Sequence, residues 1–133
     1  MQAPDRYFTL QEAQGLVPWL QQTFDDIEPL RHELAGTKQR VQRLMARLQS
    51  NGGASPEQEL DEATRALHEA QENIDELAYS IVERGIILRT VEGLVDFPSM
   101  RDGRTVYLCW LAGESRITHW HEPDAGFATR QPL

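Results

Sequence analysis

The sequence predicts an α+β protein: a long, kinked antiparallel helical hairpin of coiled-coil type, a small antiparallel sheet of three or four strands, and an irregular C-terminal tail. Three observations carry this reading. Apolar and small residues recur three and four apart through two long runs, 9–50 and 56–84. Between the runs lies Asn51-Gly-Gly-Ala-Ser-Pro56, a dense turn signal. After Gly85 the helical period gives way to short runs separated by glycine, proline and Asp-Gly turns, 86–121, before a tail over 122–133. A chain of 133 residues is long enough for one domain with a core, and a single domain over 1–133 is expected.

The first helix starts at Leu10, because Thr9 and Glu12 stand at capping-box spacing, where each side chain satisfies a backbone N–H that the helix leaves orphaned. Its seam runs Ala13, Leu16, Leu20, Thr23, Ile27, Leu30, Leu34, Thr37, Val41, Leu44, Leu48. Pro18 and Pro29 interrupt it without shifting its phase. Each removes an intrahelical donor, so kinks near 18 and 29 are expected, or a separate first helix before Pro18. The second helix starts at Pro56 with Ser55 as its cap, and its seam is Leu60, Ala63, Leu67, Ala70, Ile74, Leu77, Ile81.

The charges fit an antiparallel pairing. Arg31, Lys38, Arg40, Arg43 and Arg47 on the first helix face an acidic series, Glu57 to Glu83, on the second. Exposed pairs contribute about 0.2–1 kcal/mol each, so their use is to specify orientation. A hairpin of this length projects beyond a domain core, and its residual apolar stripe suits a second copy; a homodimer through the hairpin, or another protein partner, is expected. The apolar surface widens at the other end, at Trp19, Phe24, Ala78, Val82, Ile86 and Ile87, where the sheet should dock.

The strands are read at 86–90, 94–97 ended by Pro98, 105–111, and 116–121 after a turn at Ala112-Gly113. A net charge of -8 opposes nucleic acid and anionic membranes. One cysteine, no signal-like start in MQAPDRYFTL and no long apolar run lead to the expectation of a cytoplasmic protein that crosses no membrane.

Chemistry concentrates in the last third. His119 and His121 lie two apart on a strand and so share a face, and both imidazoles can reach one metal ion such as zinc, with Asp124 as carboxylate ligand and Cys109 as a fourth. Glu122 points away. Hairpin register decides Cys109: a two-residue loop sets it opposite Arg116 and away from the histidines, a three-residue loop opposite Ile117 on their face. The alternative is a structural network in which His119, Asp124 and Arg130 lock the tail onto the sheet, with Glu122 and Trp120 among its members. Cys109 then fills core, since no neighbouring positive charge is evident in the sequence. Trp110 and Trp120 stack a base only if they are exposed. No phosphate loop, nucleophile elbow or CxxC occurs.

The words Tyr7-Phe8-Thr9-Leu10, Gly93-Leu94-Val95-Asp96-Phe97-Pro98, Val106-Tyr107-Leu108-Cys109-Trp110 and Trp120-His121-Glu122 with Gly126-Phe127 and Arg130 together resemble a family of short bacterial proteins known only as a domain of unknown function. The resemblance implies the helical segment first and the W-H-E…G-F…R segment last, and brings no activity. With no complete catalytic constellation, the sequence favours a non-enzymatic oligomerising or protein-interaction module. The alternative is a transition-metal-binding protein, or a small metal-dependent hydrolase, using the H-x-H segment.

Overall fold

The structure, a computed structural model, describes residues 3–51 and 56–133. It is α+β. Helix α1 spans Leu10–Asn51 and α2 spans Pro56–Val82. Strands β1 (Ile87–Thr90), β2 (Leu94–Arg101), β3 (Arg104–Leu111), β4 (His119–His121) and β5 (Gln131–Pro132) form one antiparallel sheet in chain order, with a 3-10 turn at Phe127–Thr129. No helix among the described residues is long and apolar enough to cross a membrane. The expected turn at 52–55 and its Ser55 cap lie outside the described residues.

The chain divides into two compact units. One, Asp26–Leu77, is the helical hairpin. Its burial follows the predicted seam: Ile27, Leu44, Ala63, Ala70 and Ile74 are buried, Leu30, Leu34, Val41, Leu48, Leu60 and Leu67 half-buried, and the intervening residues mostly exposed. Helix α1 is assigned as one helix through Pro18 and Pro29, with no separate segment before Pro18. Among the described residues, Lys38, Arg40, Arg43 and Arg47 form no ion pair with α2. Glu28 instead pairs within α1, with Arg31 at 3.7 Å and His32 at 3.2 Å. Long exposed side chains gain little from contact pairing and stay solvated.

The other unit comprises the chain up to Asp25 and Ala78–Leu133. Helix α1 begins where the capping box places it: Thr9 N–H donates to Glu12 Oε1 at 2.8 Å, and Glu12 N–H to Thr9 Oγ1 at 3.0 Å. Alternation divides the sheet into two faces. The first carries Val95, Phe97, Val106, Leu108, Trp110 and Trp120, all buried, and receives the start of α1. Phe8 meets Phe97 edge-on with centroids 5.1 Å apart, and Phe24 lies 6.1 Å from Trp110. Both tryptophans are core residues, closed to a nucleobase.

Three features of the sheet differ from the expectation, each for a local reason. Strand β2 runs through Pro98 to Arg101. The Pro98 carbonyl accepts from Phe8 N–H at 2.7 Å, so its ring nitrogen, on the same side of the strand, faces away from β3 and no ladder bond is lost. The β2–β3 hairpin closes where the sequence places its turn, on Asp102 and Gly103, both at positive φ (52° and 79°), the two-residue turn that Asp-Gly favours. The return strand starts at His119, not at residue 116, because the loop before it is bonded elsewhere. Glu114 folds back on β3, accepting Leu111 N–H through Oε1 at 2.8 Å and Trp110 Nε1–H through its carbonyl at 3.0 Å. Gln14 of α1 then takes both backbone groups of Ile117, each at 2.8 Å, as a neighbouring strand would. Finally, the tail is ordered into the 3-10 turn and a fifth strand that pairs Gln131 with Trp120 and Pro132 with His119.

Candidate metal centre

The second face of the sheet carries the polar chemistry. Register sets Asp96 of β2 directly opposite Cys109 of β3, and Cys109 opposite His119 of β4, with His121 opposite Tyr107. Cys109 therefore shares a face with both histidines, the outcome the three-residue loop implied, although its partner is His119 and not Ile117. On this face Asp96, Cys109 and His121 converge: one ligand atom of each lies within 4.8 Å of the other two, and all three residues are buried.

A buried carboxylate and imidazole require partners, and here each has two. His121 Nε2 lies 3.0 Å from Asp96 Oδ1, and His121 Nδ1 lies 2.8 Å from the Glu122 carbonyl. A carbonyl only accepts, so Nδ1 carries a proton and Nε2 is turned toward the cluster. Asp96 Oδ2 accepts from Arg89 Nε at 2.8 Å. No buried side-chain nitrogen or oxygen among the described residues is left without a partner. The Cys109 thiol is pushed up to about 11, first by burial and then by the Asp96 charge, against the pull of the Arg130 guanidinium. That guanidinium is the neighbouring positive charge the sequence did not show.

Arg130 anchors the tail beside this face. It forks onto Glu114, with Nη1 3.2 Å from Oε1 and Nη2 2.9 Å from Oε2. Burial pushes the Glu114 carboxyl up, but the Arg130 hydrogen bond, the Leu111 N–H and the Arg130 charge outweigh it and hold the group below the usual carboxylate range. The partner of Arg130 is thus Glu114, not Asp124, which is exposed. His119 is half-buried and bonds Thr118 Oγ1 at 2.8 Å, outside the converging cluster. Glu122 pairs with Arg104 at 2.7 Å, and Trp120 lies on the opposite face under Arg101. Of the four ligands read from the sequence, Cys109 and His121 come together; His119 and Asp124 do not join them, and Asp96 does.

Asp96 carried a signal: a single carboxylate inside the apolar run Leu94-Val-Asp-Phe-Pro98 must find a buried partner. Its partner came from a strand 25 residues away, which only the β2–β3–β4 register reveals.

A cavity of about 290 Å³ opens against Asp96, Cys109 and His121. Arg89 and Leu94 frame it from the sheet, and Pro123, Ala125, Gly126 and Phe127 from the tail. Two larger hollows, of about 420 and 430 Å³, lie elsewhere on this unit near Met100 and Ile87. Neither contains a cluster of metal-ligating groups among the described residues. Chemically, a thiol, an imidazole and a carboxylate around one point suit an ion of zinc type, which takes sulfur, nitrogen and oxygen donors tetrahedrally.

Comparison with known proteins gave no match among curated proteins and none among solved structures. A family model does match, over residues 6–133, nearly the whole chain, and it includes every residue of this cluster. The chain belongs to the family described as an uncharacterized conserved protein, DUF2203.

Proposed function

We propose that this chain is a transition-metal-binding protein that holds a zinc-type ion through Asp96 Oδ1, Cys109 Sγ and His121 Nε2. The observation that carries the reading is the convergence of these three buried ligand atoms within 4.8 Å. The surrounding bonds support it. Metal-bound histidine donates its other ring N–H to a carbonyl or carboxylate, as His121 Nδ1 does to Glu122. Asp96 keeps Arg89 on its second oxygen. An ion entering the cluster replaces only the proton between Nε2 and Oδ1 and the thiol proton of Cys109, whose loss a metal favours even from about 11. Uptake therefore releases protons, and affinity rises with pH. Three protein ligands beside a cavity are the pattern of catalytic zinc centres, where the ion would lower the pKa of a bound water to about 7, so a metal-dependent hydrolase is the activity class this site fits.

The test is elemental analysis of protein purified without tag or chelator, then dialysed against zinc or cobalt. Near-stoichiometric metal is expected, with a thiolate-to-cobalt charge-transfer band that Cys109→Ser abolishes. Absence of bound metal at a clear excess of both ions sinks the reading.

A second reading concerns assembly. In the hairpin unit Leu30, Leu34, Val41, Leu48, Leu60 and Leu67 stay half-buried and Met45 is 49% exposed, a stripe that a second copy can cover. Light scattering at high micromolar concentration is expected to give twice the 15.2 kDa chain mass. A strictly monomeric mass rejects it.

A further inference from the structure

We propose that the cavity beside Asp96, Cys109 and His121 is an anion site: a small oxyanion, carboxylate or phosphate in class, takes the open position of the bound ion and is clasped by Arg89. This deepens the metal reading above and rests on it.

Arg89 is the first support. Its Nε is fixed on Asp96 Oδ2 at 2.8 Å, and its guanidinium carbon stands 5.4 Å from the centre of the Tyr107 ring. Among the described residues its two terminal nitrogens have no partner, and the side chain lines the cavity. A guanidinium held by Nε presents Nη1 and Nη2 as a fork, the geometry that matches two oxygens of a carboxylate or phosphate. Arg130, on the same face, has no such capacity left, because Glu114 already occupies its fork.

Charge is the second. A divalent ion is neutralised by the Asp96 carboxylate and the Cys109 thiolate, His121 being neutral once it coordinates through Nε2. Arg89 then remains as surplus positive charge at the mouth of the site. An anion removes that surplus, and a neutral water does not. The chain as a whole carries -8, so attraction is confined to the site itself, within the roughly 8 Å screening length of physiological salt. A volume of about 290 Å³ falls just below the usual range of small-molecule pockets, about 300–1,000 Å³, and suits a ligand of few heavy atoms.

The experiment is a titration of the cobalt-loaded chain with acetate and with inorganic phosphate in physiological salt, followed by the visible cobalt spectrum. A saturable spectral change with at least one of the two is expected. It is repeated at saturating cobalt on Arg89→Gln, whose amide nitrogen occupies the same place along the side chain as Nε. That variant keeps a donor for Asp96 and removes the terminal fork. Its half-saturating anion concentration is expected to rise about tenfold or more, the loss of a charge-assisted fork. Bound cobalt whose spectrum ignores both anions, or an Arg89→Gln variant that binds them as well as the parent, overturns the anion site and leaves the metal centre standing. Failure of the parent chain to bind cobalt overturns both.

Discussion

Asp96→Ala is expected to destabilise the metal-free protein by about 3–5 kcal/mol, because it breaks a buried charged cluster from one side. The residue is 2% exposed and supplies the Nε2 partner of His121, itself 3% exposed, together with the Nε partner of Arg89. Alanine leaves the imidazole without its Nε2 partner. Asp96→Asn separates the fold from the chemistry. An asparagine N–H can donate to a neutral His121 Nε2 while its oxygen accepts from Arg89, so both hydrogen bonds survive and the cost should stay near 1 kcal/mol. The same substitution removes the anionic oxygen donor, and metal affinity should fall at least tenfold. Urea denaturation in chelator, run beside metal titration of both variants, checks the pair. Equal loss of stability in the two would refute the assignment of Asp96 as a group whose charge the ion needs and the fold does not.

Trp110→Ala should cost about 3–5 kcal/mol as well, for a different reason. The side chain is fully buried against Phe24, and its indole N–H fastens the Glu114 carbonyl. Glu114 in turn holds Leu111 and Arg130, so the indole helps fix the loop that delivers β4 in register. Trp110→Phe refills most of the volume without the donor and should lose about 1–2 kcal/mol. Guanidinium midpoints of the two variants check this; a Phe variant as damaged as the Ala variant assigns the whole effect to the indole bond and none to packing.

These two residues also mark what was legible in the sequence. The start of α1 was, because Thr9 and Glu12 act on backbone groups within one turn. The seams were, because a helical period is a local property, and so was β3, an unbroken β-prone run. The start of β4 was not: it depends on Gln14, 103 residues from Ile117, replacing a strand partner. Pro98 does not stop β2, because a missing donor matters only where it faces the neighbouring strand, and the Pro98 nitrogen faces the Phe8 side instead. The candidate centre was half legible. Cys109 and His121 stand out by rarity, as the single cysteine and one of four histidines, whereas Asp96 is one of 21 acidic residues. An acid becomes a ligand candidate by what lies across the ladder, and ladder register is tertiary information.

The helix-sheet unit is built from two segments far apart in the sequence, and this bears on how the protein is made. Phe8 and Ser99 bond across 91 positions, and Gln14 and Ile117 across 103, whereas the hairpin unit is one contiguous stretch. During synthesis the hairpin can assemble from neighbours already present, while Phe8, Val17, Leu20 and Phe24 leave the ribosome with nothing to cover them. Phe8 and Phe24 stay without their sheet partners until Phe97 and Trp110 have emerged as well. The N-terminal apolar strip is therefore the segment that a nascent-chain chaperone must shield, and the one through which unfinished chains would associate.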